Sequence, residues 1–249
     1  MSALVGTASD ELPDLLATGR TDVTTMFVSM SERHPEGRDA DYIEWHTFDH
    51  RPEQHRLASI RASLRLVSTP ACRAARAATD PRYDAVDHVM TYFFVGLDGL
   101  EAFNDLSIAL ATANRTPYLL PLVERGVFGL DDAVAAPRIK VGADVLPFWP
   151  ARGVYVLVEE GARSPAELTE VAGVAGAWWG PGTAVDPPYA TADHTGLQVS
   201  YCFLDGDPAE TGARLRPALE QRWSGSDAAP LLAAPFHTVA GWDCTRHIP

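Results

Sequence analysis

The segments DHVMTYFFVGLDG (residues 87–99) and DHTGLQVSYCFLDGD (residues 193–207) each combine an Asp-His pair, a run of β-forming residues and a Leu-Asp-Gly ending. A second match follows in the same order, because AAPRIKVGAD begins at Ala135 and AAPFHTVAGWD begins at Ala233. Ordered matches at similar spacing are typical of an internal duplication. The sequence therefore predicts two related halves.

Each half reads as strand, helix, strand, strand, helix, strand. In the first half the predicted strands are residues 24–32, 60–68, 88–95 and 136–145, and the predicted helices are residues 38–49 and 97–113. Pro52 is expected to end or kink the first helix, and residues 117–132 form a connection with a further helical turn. In the second half the predicted strands are residues 153–159, 173–179, 197–204 and 236–243, and the predicted helices are residues 164–171 and 208–222.

A β-α-β-β-α-β unit places both helices on one face of an antiparallel sheet and leaves the other face to be buried. Two such sheets can bury each other within one chain. We therefore predict an α+β fold of tandem ferredoxin-like repeats that form a pseudo-dimeric α+β barrel. Its predicted divisions are an N-terminal extension (1–22), a first repeat (23–148) and a shorter second repeat (149–249). The protein is expected as a monomeric pseudo-dimer or as a homodimer.

The net charge of −13 argues against nucleic acid and anionic membranes as partners. Lys140 is the single lysine, which argues against Schiff-base chemistry. The three cysteines, Cys72, Cys202 and Cys244, form no C-x-x-C pair and are expected as reduced thiols. With no signal-peptide pattern and no stretch of 18 apolar residues, the sequence predicts a cytoplasmic protein with a small-molecule ligand.

The segment YIEWHTFDHRPEQH (residues 42–55) holds three of the eight histidines. On a helix, Tyr42, His46 and either Asp49 or His50 fall on one side. A neutral imidazole near pH 7 can accept or donate a proton, so a pocket-facing histidine is a candidate general acid or base. His46 and His50 also have the i, i+4 spacing that can bind a divalent metal, although no H-E-x-x-H motif is present.

This segment and the strand after it resemble EthD-like members of the dimeric α+β barrel superfamily. The residues that carry the resemblance are Trp45, His46, His50, Pro52 and Glu53, followed by Ile60, Arg61, Ala62, Leu64 and Arg65. The resemblance implies a pocket between sheet and helices that accepts a hydrophobic, aromatic or polyketide-like molecule. It also implies that His50 matches the recurrent histidine of the family. Relatives include cofactor-free cyclases, isomerases, lyases and monooxygenases, as well as haem enzymes.

Several side chains outside the helix are further candidates. His88 and Tyr92 share a strand face with Met90 and Phe94, which meets either the helices or the opposite sheet. The predicted catalytic residues are His50, His46, Tyr42, His88 and Tyr92. The predicted substrate-binding residues are Trp45, Asp49, Phe94, Met26, Trp178, His194 and His237.

The leading hypothesis is a cofactor-independent lyase, isomerase or cyclase that acts on a hydrophobic carbonyl or phenolic molecule by histidine acid–base chemistry. One alternative is a cofactor-free or haem-dependent monooxygenase. Another is a non-catalytic barrel that binds a small molecule or serves in a stress response. No cofactor is expected under the leading hypothesis, and haem or a divalent metal belongs to the alternatives.

Overall fold

A computed structural model describes residues 5–16, 19–161, 163–224 and 227–239. Its strands are β1 (Thr25–Ser31), β2 (Ile60–Val67), β3 (Ala78–Thr79), β4 (His88–Phe94), β5 (Leu122–Gly129), β6 (Asp132–Ala135), β7 (Gly153–Glu160), β8 (Val174–Thr183), β9 (Leu197–Leu204) and β10 (Ala229–Thr238). Its helices are α1 (Pro13–Leu16), α2 (Asp39–Trp45), α3 (Arg51–Gln54), α4 (Pro70–Ala74), α5 (Gly99–Thr112) and α6 (Pro208–Ser224). A π-helical turn (His46–His50) joins α2 to α3, and single 3₁₀ turns cover Ser9–Glu11, Pro81–Tyr83, Ala143–Phe148 and Ala166–Glu170.

The main strands form one closed antiparallel barrel. The first half contributes the order β2-β4-β1-β5 and the second half contributes β8-β9-β7-β10, so each half places its strands in the order second, third, first, fourth. Strand β5 pairs with β8, and β10 pairs with β2. This arrangement confirms the predicted tandem ferredoxin-like fold, in which a single chain closes the barrel.

The barrel interior is filled with large apolar side chains from both halves. Those that are fully or almost fully buried include Met26, Leu66, Phe93, Trp178, Tyr201 and Phe236. Two of the polar groups within this core are hydrogen-bonded, as buried polar groups normally are. The hydroxyl groups of Thr91 and Tyr201 lie 2.5 Å apart, and the Trp178 indole N–H donates to the Ala143 carbonyl at 2.6 Å.

The outer face of the second-half sheet is also filled. Its buried side chains include Tyr155, Leu168, Trp179, Leu215 and Leu219, which pack under α6 and the 3₁₀ turn Ala166–Glu170. Arg222 on α6 forms a fully buried ion pair with Glu159 at 2.9 Å. Among the described residues, no helix has the length and apolar content that crossing a membrane requires.

The prediction of the fourth strand at residues 136–145 is wrong. The fourth strand of the first half is β5, whereas residues 143–148 form a 3₁₀ turn. Strand β5 contains two adjacent charged residues, Glu124 and Arg125, which interrupt the apolar pattern that would indicate a strand. The second pair of sequence matches therefore joins elements that are not equivalent. The match that begins at Ala135 starts at the last residue of β6, whereas the match that begins at Ala233 lies within β10, the fourth strand of the second half.

Two further predictions in the second half need correction. Residues 164–171 form no α-helix, since only the short 3₁₀ turn Ala166–Glu170 is present. The last strand begins at Ala229 rather than at residue 236, and residues 240–243 of the predicted strand lie outside the described residues.

Candidate active site

The histidine-bearing segment is one continuous helical run from Asp39 to Gln54 with a wider turn in its middle. The backbone N–H of Arg51 donates to the carbonyl of His46, five residues earlier, which defines a π turn. Pro52 lacks an N–H and would crowd the carbonyl four residues before it in a regular α-helix. The wider turn accommodates this proline, so the prediction that the helix stops near Asp49 is wrong.

A cavity of about 340 Å³ lies between this helical run, α5 and the outer face of the first-half sheet. Its floor is formed by side chains from the strands: Phe27, Ser29, Ser31, Arg65, Met90, Tyr92 and Arg125. The helices cover it with Tyr42, Trp45, His46, His50, Phe103 and Ser107. Pro188 and Tyr189, from a loop of the second half, line its mouth. Among the described residues that line this cavity there is no aspartate or glutamate.

Strand register places four floor residues in one row. Arg65 on β2 is opposite Met90 on β4, Met90 is opposite Ser29 on β1, and Ser29 is opposite Arg125 on β5. The alternation in β2 predicts a half-exposed strand with Arg65 on its polar side. That side faces the helix layer instead of water, and only 3% of Arg65 is exposed.

Arg65 supplies a buried positive charge to the cavity. Its Nη2 donates to the Tyr42 hydroxyl at 2.5 Å, and its Nε is buried without a hydrogen-bond partner. Within the described part of the chain, no carboxylate forms an ion pair with this guanidinium. Because buried charges are normally paired, Arg65 is set up to interact with an anionic group of a ligand.

Both cavity histidines are held neutral. Burial is the main cause and the positive charge of Arg65 is the second. Together they lower the pKa of His46 well below its ordinary value and lower the pKa of His50 to about 4. The two imidazole rings are 5.5 Å apart between centroids. An imidazole that is unprotonated at neutral pH is available to accept a proton.

His50 is oriented by its neighbours. One ring nitrogen, Nε2, lies 3.3 Å from the side-chain nitrogen of Gln54, which is fully buried and donates to the Ser107 hydroxyl at 3.0 Å. The indole of Trp45 lies 5.0 Å from the His50 ring between centroids. The Tyr92 hydroxyl is 3.5 Å from His46 Nε2, and burial raises the pKa of Tyr92, which keeps its phenol protonated.

The structure thus brings five of the sequence-predicted site residues to one cavity: Tyr42, Trp45, His46, His50 and Tyr92. His88 lies behind Tyr42, with ring centroids 6.0 Å apart, and contacts Asp39 instead of lining the cavity. Asp49 pairs with Arg115 at 2.7 Å on the outer side of the helix. Phe94 packs against Phe103 with ring centroids 5.6 Å apart, under α5.

The remaining predicted substrate-binding residues lie elsewhere. Met26 and Trp178 belong to the barrel interior, because strand alternation turns them away from the helices. His194 is buried against Glu124, with 3.0 Å between Nε2 and Oε1. His237 lies on β10 where this strand pairs with β2. The sequence interpretation missed Arg125, Ser29 and Phe103 as site residues. It placed Arg65 in the family motif and on the polar side of β2, but did not assign it to the site.

The donor set of the cavity does not fit haem or a divalent metal. An imidazole that binds a metal normally donates its other N–H to a carboxylate or carbonyl. The Nδ1 atoms of His46 and His50 are buried without such an acceptor. His88, which does have a carboxylate partner, does not line the cavity. In the described residues, no group of three metal-binding side chains converges.

No family model and no curated protein matches the sequence. Solved structures do match. A candidate chlorite dismutase is 10% identical with a TM-score of 0.51, covering 89% of this chain and 97% of its own. Chlorite dismutase from Candidatus Nitrospira defluvii, in complex with imidazole, is 10% identical with a TM-score of 0.50, covering 93% and 96%. An anthrone oxidase-like protein is 13% identical with a TM-score of 0.46, covering 88% and 92%.

The candidate chlorite dismutase and the chlorite dismutase support the same fold, a ferredoxin-like α+β barrel. At these identities the likeness concerns the fold alone, because one fold hosts many activities.

Proposed function

We propose that this chain is an EthD-like, cofactor-independent enzyme that moves a proton on an apolar carbonyl or phenolic molecule, as a lyase, isomerase or cyclase. The observation that carries the proposal is a neutral His50 in a cavity whose buried Arg65 has no carboxylate partner among the described residues. In this proposal His50 transfers the proton, Arg65 and Tyr42 hold the substrate oxygen, and the first repeat (23–148) is the catalytic half.

Removal of a proton next to a carbonyl group, or from a phenol, leaves negative charge on the substrate oxygen. The guanidinium of Arg65 and the hydroxyl of Tyr42 are already joined at 2.5 Å and fixed between sheet and helix. Fixed donors of this kind stabilise developing charge without first having to reorganise. The apolar floor around Phe27 and Met90 strengthens the effect, because electrostatic interactions are stronger where water is excluded.

The arrangement also couples the base to its substrate. The positive charge of Arg65 opposes protonation of His50. When an oxyanion forms beside Arg65, that charge is compensated and the imidazolium becomes easier to form. Proton transfer is therefore favoured only with a substrate whose oxygen reaches Arg65.

A cofactor-free monooxygenase is the second candidate function. The cavity combines apolar side chains, such as Phe27, Met90 and Phe103, with histidine, tyrosine, serine, asparagine, threonine and arginine side chains. Its described lining residues include no aspartate or glutamate. A carbanion formed there by His50 could react with O₂, so that a CH₂ group becomes a carbonyl and one water is released. Consumption of O₂ during turnover separates this reaction from a lyase or isomerase.

The proposal is tested by incubating the protein with bicyclic and tricyclic aryl ketones in D₂O and following loss of the α-proton signal by NMR. We expect catalysed exchange, and a loss of about 10²- to 10⁴-fold in His50→Gln. His55→Gln is the matched control, because His55 lies three residues beyond Pro52, is exposed and bonds Ser63 outside the cavity. Equal exchange in wild type and His50→Gln would remove His50 from the mechanism. A ligand that binds and is recovered unchanged, with no exchange, would indicate a binding protein.

A further inference from the structure

A second arginine lies at the opposite end of the cavity floor from Arg65. Arg125 on β5 is the last residue of the row that starts at Arg65, three strand spacings away, or about 14 Å between Cα atoms. Its side chain lines the cavity, and its Nε is buried without a hydrogen-bond partner. Within the described residues it forms no ion pair.

The contacts of Arg125 hold its position without neutralising its charge. Its Nη1 donates to the carbonyl of Pro188 at 3.2 Å, and its guanidinium carbon is 5.8 Å from the centre of the Phe27 ring. Its backbone pairs with Thr191, because the Thr191 N–H donates to the Arg125 carbonyl at 2.9 Å. The contacts of the guanidinium are thus a carbonyl dipole and a ring, and neither is an anion. The carboxylate of Glu124 accepts from the backbone N–H of Arg125 at 3.2 Å and pairs with Arg82 and His194 instead of the Arg125 side chain.

We infer that the ligand carries a carboxylate at the end opposite to its reacting oxygen, and that Arg125 binds this carboxylate. The inference rests on the proposed function, which assigns the reacting oxygen to Arg65. Two arginines whose side chains have no acidic partner among the described residues lie at the ends of a floor whose middle is formed by Met90 and Ser29, with the Phe27 ring beside them. A molecule with an apolar centre and an anionic group at one end complements this pattern.

The geometry of Arg125 favours a carboxylate over a larger anion. Since Nη1 is engaged by Pro188, the edge formed by Nε and Nη2 remains for a ligand. One guanidinium edge matches the two oxygens of a planar carboxylate in a bidentate contact. A cavity of about 340 Å³ also leaves room for a bicyclic acid.

The test uses 6-hydroxy-2-naphthoic acid and its methyl ester, which share the phenol and differ in the carboxylate. Their dissociation constants are measured by calorimetry at pH 7 for wild type, Arg125→Gln, Arg125→Lys, Arg65→Gln and Arg214→Gln. Arg214 is the control, because it lies on α6 beside Glu210, and its loss changes the net charge equally. Thermal unfolding of each variant checks that it is folded.

In wild type we expect the acid to bind about 10- to 100-fold more tightly than the ester. Arg125→Gln should reduce this preference to less than about threefold and leave the affinity of the ester nearly unchanged, whereas Arg125→Lys should keep part of it. Arg214→Gln should keep the full preference for the acid. Arg65→Gln should lower the affinity for both acid and ester but keep the preference for the acid. A preference that is absent in wild type, or that survives in Arg125→Gln and disappears in Arg65→Gln, overturns the assignment.

Binding of these probes does not require turnover. If His50→Gln retains the acid preference while no substrate exchanges its proton, the carboxylate site stands and the proposed reaction fails. If exchange occurs but acid and ester bind equally, the reaction stands and the carboxylate site fails.

Discussion

His88 Nε2 lies 2.7 Å from Asp39 Oδ1, so that the first residue of β4 is tied to the first residue of α2. Both side chains are buried. Burial alone would raise the pKa of Asp39, but hydrogen bonds from His88 and the His34 backbone and the nearby positive charges outweigh it and lower this pKa. The ionised carboxylate therefore anchors the start of the helix that carries the cavity histidines.

Replacing this anchor should destabilise the fold. We expect Asp39→Ala to lower the free energy of unfolding by about 1–3 kcal/mol, since it leaves His88 and the His34 N–H without their acceptor. Asp41→Ala, which removes an exposed pair with Arg38 on the same turn, should cost less than about 1 kcal/mol. Urea unfolding measures both, and equal losses would show that Asp39 does not anchor α2.

Stability should fall as the pH is lowered from 7.5 to 5. Burial lowers the pKa of His46, His50 and His88, and partial desolvation lowers the pKa of the more exposed His55. Below the pKa of an unfolded histidine, about 6.5, these histidines bind protons in the unfolded chain but stay unprotonated in the folded chain. The free energy of unfolding therefore decreases progressively down to about pH 4, where His50 titrates in the folded protein. Above that unfolded value these groups contribute no pH dependence.

The measurement is urea unfolding at pH 7.5, 6.0 and 5.0. His50→Gln should show a shallower decline than wild type, which separates the histidine contribution from the change in overall charge. A steeper decline in His50→Gln, or equal stability of the wild type at all three pH values, would contradict the folded-state pKa shifts.

The titration of His50 should depend on Arg65. In the free protein, NMR of the imidazole should give a pKa of about 4, and kcat/KM should lose activity only as the pH approaches that value. Arg65→Gln removes a positive charge and should move the His50 pKa upwards, toward its ordinary value. An unchanged His50 pKa in Arg65→Gln would mean that Arg65 does not contribute to this shift.

The Tyr42 hydroxyl should matter to the chemical step. Tyr42→Phe removes the phenol that Arg65 contacts and should reduce kcat for proton exchange by about 10²-fold. Tyr189→Phe, at the mouth of the same cavity, should change kcat by less than about threefold. If both variants lose activity equally, the phenol of Tyr42 has no special part in stabilising the substrate oxygen.

The sequence predicted the strands that are apolar or regularly alternating, such as β1, β4 and β9. It missed β5 because Glu124 and Arg125 interrupt the apolar pattern. The carboxylate of Glu124 contacts Arg82 and His194, which are distant in sequence. A strand whose charges find such partners cannot be distinguished from a loop by local composition.

The helical half of the cavity could be predicted, because the spacing of Tyr42, His46 and His50 and the family resemblance agree. Arg65 could not be placed, since alternation along one strand does not say whether its polar face meets water or a layer of helices. Arg125 required the register of four strands, a relation between residues far apart in the chain.

The absence of acidic residues from the described cavity lining contrasts with the net charge of −13 on the whole chain. An approaching anion is repelled at long range and attracted only after it has entered. Salt screens exposed charges over distances of about 10 Å but screens buried contacts much less. The association rate constant for an anionic ligand should therefore increase with ionic strength, which is the reverse of ordinary electrostatic steering.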